Sequence, residues 1–483
     1  MFNPEKFCQK IIEICFYLLF ILVPLAVAPW NFELFEFNKM LVVYALTAII
    51  TGAWLIKMVR QRQIIFRRTF WDIPLIIFFL SQVISFLFSI DKHTSFWGYY
   101  GRFNGGLLSV ICYLLLYWAF VSNLNYKITN YALRISLVTA AIISIYGILE
   151  HFGHSVSCLL FEGKFGVGCW VQDVQRRVFA TLGQPNWLAA YLVALIPLIW
   201  AFSLIHYSLF IILFSCLLFT QSRSGFLGFG ITFLIFWGLS FWLNRQNVKK
   251  ILQQFIVISS LLLVISLLFG TPYNTGLLHQ KSALPPTPAA TNEASQPLLI
   301  SESSDIRKVV WKGAIEIWRH FPILGTGPET FAYSYYWFRP REHNDLSEWD
   351  FLYNKAHNEY LNYAATTGTI GLVSYLVLIG SFVLWNLKQI KNQKSLHLAL
   401  LAGFISVLVT NFFGFSVVIT SLFFFLFPAF AIITAGKPAM TSTNSNDISK
   451  KQWLLIAGIL LITYYLILLG TGRQIDIILP VRN

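Results

Sequence analysis

Residues 251–269 read ILQQFIVISSLLLVISLLF, an apolar run without a charged side chain. About 20 residues of this kind cross the hydrocarbon core of a bilayer as an α-helix. Only helices and closed barrels can span a membrane, because every backbone N–H and C=O must be paired inside the protein. The run is continuous rather than alternating, which excludes a barrel strand. This stretch therefore predicts a transmembrane helix.

Similar runs recur along nearly the whole chain of 483 residues, of which 57% are hydrophobic and only 12% charged. Soluble domains carry roughly 25% charged residues, so the composition excludes a water-soluble protein. The sequence predicts an all-α, polytopic transmembrane bundle of twelve or thirteen spans. The expected spans are 11–29, 40–58, 71–90, 105–122, 130–150, 187–203, 204–220, 224–243, 251–269, 368–386, 398–413, 416–435 and 453–470.

The net charge of +14 has a topological explanation. If the N-terminus is cytoplasmic, the short inner loops hold a large excess of Lys and Arg, including the clusters at 57–68, 245–250 and 388–394. Cytoplasmic loops of membrane proteins carry this excess. The basic charge thus indicates topology and contact with anionic lipid headgroups, and it does not indicate nucleic-acid binding.

Cysteines and the N-terminus leave two questions open. Cys158 and Cys169 share the expected outer loop 151–186, where an oxidising compartment permits a disulfide, but the sequence cannot fix the required geometry. The first apolar run ends in Ala26-Val27-Ala28, which resembles a signal-peptide cleavage site. Pro29 follows directly, so we expect a retained first helix.

The spans and loops divide the chain into four parts. Residues 1–269 hold the first nine spans, 270–367 form a large outer loop, 368–470 hold the last four spans, and 471–483 form a tail. Residues 281–304 are rich in Pro, Ala, Ser and Thr and predict a flexible linker.

Three helices are expected in the rest of the large loop. From Asp305, apolar residues at helical spacing predict an amphipathic helix on the membrane surface; they are Ile306, Val310, Ile317 and Phe321. A turn then leads to a second helix with Pro328 at its first position. A third helix is expected from near Asn354 to Gly368, with His357 in its first turn.

Several arginines fall on the expected outer side of the membrane. Arg223 lies between two spans with almost no loop, while the others occupy longer loops: Arg102, Arg176, Arg177 and Arg307. A charge near bilayer depth is costly and usually faces a cavity or a partner. Together these residues predict a cationic pocket, and the guanidinium fork suits diphosphate oxygens. The alternative is that each arginine reaches the headgroups or pairs with a nearby acid.

His357 is the best candidate for a general base. At the start of a helix the positive end of the dipole disfavours imidazolium, so we expect the neutral form near pH 7. Neutral imidazole can take a proton from an attacking hydroxyl. A structural histidine is the alternative. The sequence shows neither metal-ligand spacing nor a cofactor motif, so we expect no metal and no cofactor.

His357-Asn358, nine residues and then Gly368-Thr369-Ile370-Gly371 resemble the H-[NSQ]-x9-G-x-x-[GTY] signature of bacterial O-antigen ligases. Residues 222–225 (SRSG) are similar to the arginine stretch of that family. The same holds for the segment from Arg307 through Gly325 and Gly327, and for residues 183–186 (GQPN). The resemblance extends from about residue 102 to 433.

This resemblance implies a multi-pass enzyme of the bacterial cytoplasmic membrane that acts in lipopolysaccharide and cell-envelope polysaccharide synthesis. Such enzymes move a glycan from undecaprenyl diphosphate to a lipid or glycan acceptor on the extracytoplasmic face, with inversion and without a metal. By resemblance, His357 is the catalytic residue, as the base or as the group that orients the acceptor, while Arg223 binds the donor diphosphate and Arg307 assists donor binding. Arg102 and Arg177 are further candidates for donor binding.

The chain departs from the family pattern in two places. Twelve spans are typical, whereas 453–470 would be a thirteenth, and the R-x3-L pattern of the ligases is only approximated by Arg307-x3-Trp311. Within the superfamily, a polysaccharide polymerase and a protein O-oligosaccharyltransferase remain alternatives. A small-anion transporter of the bicarbonate type is a third, since some relatives carry that label.

Overall fold

The computed structural model describes residues 4–31, 33–202, 206–243, 245–277, 303–390 and 394–436. The expected thirteenth span at 453–470, the tail at 471–483 and most of the linker lie outside these residues. Across the described ranges the fold is all-α, as predicted, apart from one two-stranded hairpin of β1 (Gly270–Thr271) and β2 (Asn274–Thr275).

Within the described ranges, twelve apolar helices correspond to the first twelve expected spans. Seven are long and apolar enough to cross a membrane: α1 (Pro4–Leu25), α2 (Glu36–Gln61), α6 (Tyr126–His151), α10 (Arg223–Leu243), α11 (Val248–Phe269), α14 (Glu359–Ile390) and α15 (Lys394–Phe412). Five are shorter: α3 (Asp72–Leu87), α5 (Leu107–Asn123), α8 (Pro185–Ala201), α9 (His206–Phe219) and α16 (Val418–Thr434). The chain is therefore a multi-pass membrane protein.

The described part of the chain has four further helices between the spans: α4 (Lys92–Trp97), α7 (Val156–Glu162), α12 (Ser303–His320) and α13 (Phe331–Phe338). Short 3-10 turns occupy Ala180–Leu182, Arg245–Asn247 and Arg341–Asp345. Helix α16 is buried along its whole length at the centre of the bundle, packed against α5, α8 and α15. Helix α11 is largely exposed at the periphery, as expected of a helix that faces lipid.

The large loop forms a second, smaller core. Val310, Ala314 and Ile317 of α12 are fully buried against Phe331 and Tyr335 of α13. This arrangement corrects the expected placement of α12 on the membrane surface, because its apolar stripe packs against protein. Phe321, the fourth residue of the predicted stripe, is exposed and lies just beyond the end of α12 at His320.

Two predicted helix starts are wrong. Helix α13 begins at Phe331, so Pro328 belongs to the preceding turn. Helix α14 begins at Glu359 rather than near Asn354, because the Asn358 side chain accepts a hydrogen bond from the Leu361 N–H at 3.0 Å and caps the helix there. His357 therefore precedes the helix. Gly368, the expected helix end, is a non-helical kink within α14.

Candidate functional site

A cavity of about 180 Å³ lies where α8, α10 and α12 meet the segments 348–357 and 410–420. Its wall includes residues from four of the stretches that carry the sequence resemblance. These are Gln184 and Asn186 of GQPN, Ser224 of SRSG, Arg307 and His357; Arg177 lines it as well. We call it the arginine cavity. Segments far apart in sequence thus converge on one polar hollow.

His357 is held in place by the backbone around it. Its φ angle of 52° is unusual for a residue with a side chain, and the adjoining Ala356 N–H donates to Asn362 Oδ1 at 3.3 Å. The imidazole lies edge-on between the rings of Tyr353 and Phe415, with centroids 5.5 Å and 5.3 Å away. A strained backbone held by surrounding contacts is common at functional sites.

The pKa of His357 is lowered to about 4, first by burial and then by the positive charges of Arg307 and Arg102. The ring is therefore neutral near pH 7, as the sequence predicted. The physical cause differs from the predicted one, because His357 precedes α14, and burial followed by the charges of two arginines lowers its pKa in place of a helix dipole.

Arg307 and Arg177 form the cationic wall of the cavity. Burial and the nearby Arg177 lower the pKa of Arg307, while burial, Arg176 and Arg223 lower the pKa of Arg177. Both guanidinium groups stay charged at neutral pH because arginine starts so high. Like charges held this close favour a polyanion, whose binding would relieve their repulsion.

Arg102 lies behind the cavity wall. Its guanidinium is 5.0 Å from the ring centroids of both Trp187 and Phe415, which line the cavity, and its Nη1 is buried without a hydrogen-bond partner in the described structure. Cation–π contacts stabilise such a charge. It reaches the site through its effect on His357 rather than as part of the lining.

Arg223 stands at the edge of the site. Its side chain is exposed and does not line the arginine cavity, although the next residue, Ser224, does. It is close enough to act electrostatically on Arg177. Ser222 donates to Asn186 Oδ1 at 2.7 Å, and this bond joins the SRSG and GQPN stretches. Arg223 is thus next to the cavity and adds to the positive charge around Arg177.

The four motif glycines build a backbone clamp, which we define as residues 321–327 and 365–371. The kink at Gly368, with φ of 65°, is closed by Thr369 N–H donating to Pro322 O at 2.8 Å, and by Gly327 N–H donating to Thr366 O at 2.7 Å. A Cβ on Gly368 would approach Ile323 O to 2.3 Å, and one on Gly325 would approach the Thr366 carbonyl carbon to 2.3 Å.

Gly371 serves the same clamp from within α14. A Cβ there would overlap Thr367 Oγ1, which donates to Tyr363 O at 2.8 Å. Gly327 has φ of 113°, and a Cβ there would overlap Ser89. These contacts explain why glycine stands at each position. The clamp fixes α14 against the large loop and so positions the segment that carries His357 and Asn358.

Cys158 and Cys169 are joined in the structure, with Cα atoms 5.4 Å apart. The bridge closes the loop that precedes Arg177. Trp170, next to Cys169, packs against Phe35 and Phe179 and ties this loop to the bundle. The bridge and the contacts of Trp170 thus restrain this loop before the chain reaches the cavity.

Sequence reasoning missed several residues of the cavity. Glu348, Thr410 and Asn411 line it, yet none belongs to a motif that was singled out. They come from two segments separated by a whole transmembrane helix, so no local spacing could have linked them. Among the described residues, no group of three or more His, Cys, Asp or Glu side chains is placed to hold a metal.

Residues 208–376 match the family model described as O-antigen ligase. The matched segment runs from α9 into α14 and contains Arg223, Arg307 and His357. The resemblance to the O-antigen ligase superfamily is thereby confirmed, and members of this family are ligases or glycosyltransferase-like enzymes. A comparison with curated proteins finds no match.

Proposed function

From its O-antigen ligase segment, we propose that this protein transfers a glycan from undecaprenyl diphosphate to an acceptor at the extracytoplasmic face of the bacterial cytoplasmic membrane. The observation that supports this most is the shared cavity, in which a neutral imidazole and two charged guanidinium groups line one hollow. A base and a cationic anion site are the two elements that such a transfer requires.

Donor binding is assigned to the arginines. Arg307 and Arg177 take the diphosphate oxygens through paired N–H donors, and Arg223 attracts the anion from the edge. Arg102 adds positive potential from behind the aromatic wall. The polyprenyl chain would remain among membrane lipids, beside the apolar faces of the bundle.

In the chemical step, an acceptor hydroxyl attacks the anomeric carbon from the side opposite the diphosphate. The new glycosidic C–O bond forms as the bond from the anomeric carbon to the diphosphate oxygen breaks, which inverts the configuration. His357 takes the hydroxyl proton, and the arginines stabilise the charge on the departing diphosphate. We expect this reaction to need neither a divalent ion nor a cofactor.

Donor binding would also tune the base. Burial first, and the positive charges of Arg307 and Arg102 second, hold the pKa of His357 at about 4, which is low for a general base near pH 7. A bound diphosphate supplies negative charge that opposes theirs. The pKa of His357 then rises toward the working pH, so the base becomes effective when the donor is in place.

The test is a reconstituted reaction. The full chain in proteoliposomes receives a synthetic undecaprenyl diphosphate-linked glycan and a panel of lipid, glycan and peptide acceptors. Release of undecaprenyl diphosphate and the mass of the acceptor are measured. We expect His357→Ala to reduce transfer by about 10²- to 10⁴-fold, the range typical of a lost general base.

The matched control is His93→Ala, since His93 is exposed on α4. It should transfer like the wild type, and all three proteins should show the same thermal unfolding. Full activity of His357→Ala would refute the proposed mechanism. Uptake of a small anion without any lipid-linked glycan, together with no transfer by the wild type, would instead favour a transporter.

A further inference from the structure

The wall of the arginine cavity is asymmetric in charge. Glu348 lines it together with Arg177 and Arg307, and in the described part of the chain it is the one carboxylate that does so. No ion pair joins Glu348 to an arginine among the described residues. A carboxylate that merely balanced the cationic wall would be expected to pair with it.

Tyr353 holds the Glu348 carboxylate instead. Its hydroxyl donates to Glu348 Oε2, and its ring is 2% exposed, wedged between His343 and His357. A buried ring cannot change rotamer freely, so the hydroxyl is a fixed point. One carboxylate oxygen is thus engaged by protein, whereas Oε1 accepts no hydrogen bond among those of the described residues, and Glu348 as a whole is exposed.

The segment that carries Glu348 is anchored on both sides. Arg339 donates to Trp349 O at 3.1 Å and to Asn344 Oδ1 at 2.9 Å. His343 is fully buried, and its Nδ1 is hydrogen-bonded to the Tyr335 hydroxyl at 2.9 Å. The segment that carries Glu348 is therefore restrained by side chains on both sides, as is typical of a residue that is positioned for binding.

An ionised carboxylate accepts hydrogen bonds and donates none, so it binds hydroxyl groups and repels phosphate or another carboxylate. We propose that Glu348, held by Tyr353, binds the acceptor, and that the reacting end of the acceptor is an uncharged, hydroxyl-bearing sugar. The arginines then take the anionic donor on their side of the cavity. This inference rests on the proposed function, whose donor site it complements.

The geometry also relates the acceptor to the base. Tyr353 contacts both partners, with its hydroxyl on Glu348 and its ring centroid 5.5 Å from that of His357. A sugar bound to Glu348 therefore lies one aromatic side chain away from the imidazole. A neighbouring hydroxyl of the same sugar can approach His357 while the first is held.

The experiment uses the full chain in proteoliposomes with the undecaprenyl diphosphate-linked glycan. Two acceptors are compared, one ending in a neutral hexose and one ending in the corresponding uronic acid. In Glu348→Gln, the KM for the neutral acceptor should rise about tenfold, because a charge-assisted hydrogen bond is weakened. The KM for the donor should stay within about twofold, and the preference for neutral over acidic acceptor should fall.

Tyr353→Phe should raise the acceptor KM by a smaller factor, about threefold, since the carboxylate remains but loses its support. Asp350→Asn is the matched control, because Asp350 is an exposed acid two residues away, and it should change neither KM. Equal rises in donor and acceptor KM, or an unchanged acceptor KM in Glu348→Gln, would overturn the acceptor site alone. Absence of transfer by the wild type would instead refute the proposed function and this inference with it.

Discussion

The arginine cavity and the glycine clamp are both built from the stretches that carry the family resemblance, yet they differ in what surrounds each residue. In the cavity, Arg307 and Arg177 are close to each other and have no carboxylate partner among the described residues. In the clamp, each glycine is so close to neighbouring atoms that a single added carbon would overlap. Arginines without a carboxylate partner indicate a site that binds an anion. Glycines without room for a side chain indicate a structural role.

The largest expected effect is a loss of glycan transfer on substitution of a cavity arginine. Arg307→Ala should lower glycan transfer by about 10²- to 10³-fold, because one positioned donor to a developing negative charge is lost. Thermal unfolding should stay unchanged, since the residue lines a cavity. Arg319→Ala on the exposed side of α12 is the matched control and should be fully active. A loss of folded protein in Arg307→Ala would contradict the distinction.

The clamp should show the opposite behaviour. In Gly368→Ala, the alanine must adopt the positive φ of Gly368, and its Cβ lies only 2.3 Å from Ile323 O. We expect this substitution to lower the stability by about 3 kcal/mol or more. Gly380→Ala is the control within the same helix, because a Cβ there meets nothing within 4 Å. Thermal unfolding in detergent should separate the two variants. Equal unfolding temperatures would argue against the clamp.

The pH dependence of glycan transfer tests the role of His357 in the cavity. Protonation removes the neutral imidazole, so kcat/KM should fall only as pH drops toward about 4, the pKa of His357 in the free protein. The bound diphosphate favours imidazolium, so the acid limb of kcat should lie about one pH unit or more higher. Coincident limbs would mean that the diphosphate binds away from His357.

The smallest effect concerns one hydrogen bond behind the clamp. Ser85 on α3 donates to Leu324 O at 2.8 Å. Ser85→Ala should lower stability by about 1 kcal/mol, because the partly buried Leu324 carbonyl loses its hydrogen-bond donor. The transfer rate per folded molecule should not change. If Ser85→Ala instead lowered the transfer rate and left the stability unchanged, Ser85 would belong with the residues that act in the cavity.

The transmembrane fold follows from sequence because apolar runs of this length have few other solutions in a bilayer. The helix starts did not follow, because capping decides them locally. Asn358 ends the loop and starts α14, although the residues from Asn354 onward were expected to be helical. The burial of α12 could not be predicted either, since an apolar stripe suits a lipid surface as well as a protein core.

The candidate site was predicted in part. His357, Arg307 and Arg177 came from their residue types and their expected side of the membrane, and the structure places all three on one cavity. Arg223 was expected to line the cavity. It lies at the edge of the cavity instead, because it is the first residue of α10 and its side chain is exposed. Glu348 and Asn411 could not be found from sequence, since only the packing of α15 against the large loop brings them together.

The Cys158–Cys169 bridge has a consequence for how such a protein matures. Thiols stay reduced in the bacterial cytosol, and disulfides form beyond the membrane. In the proposed orientation, the segment leading to Arg177 would gain its covalent tether only after export. Newly made chains would then carry this loop without its cross-link until the two thiols had been oxidised beyond the membrane.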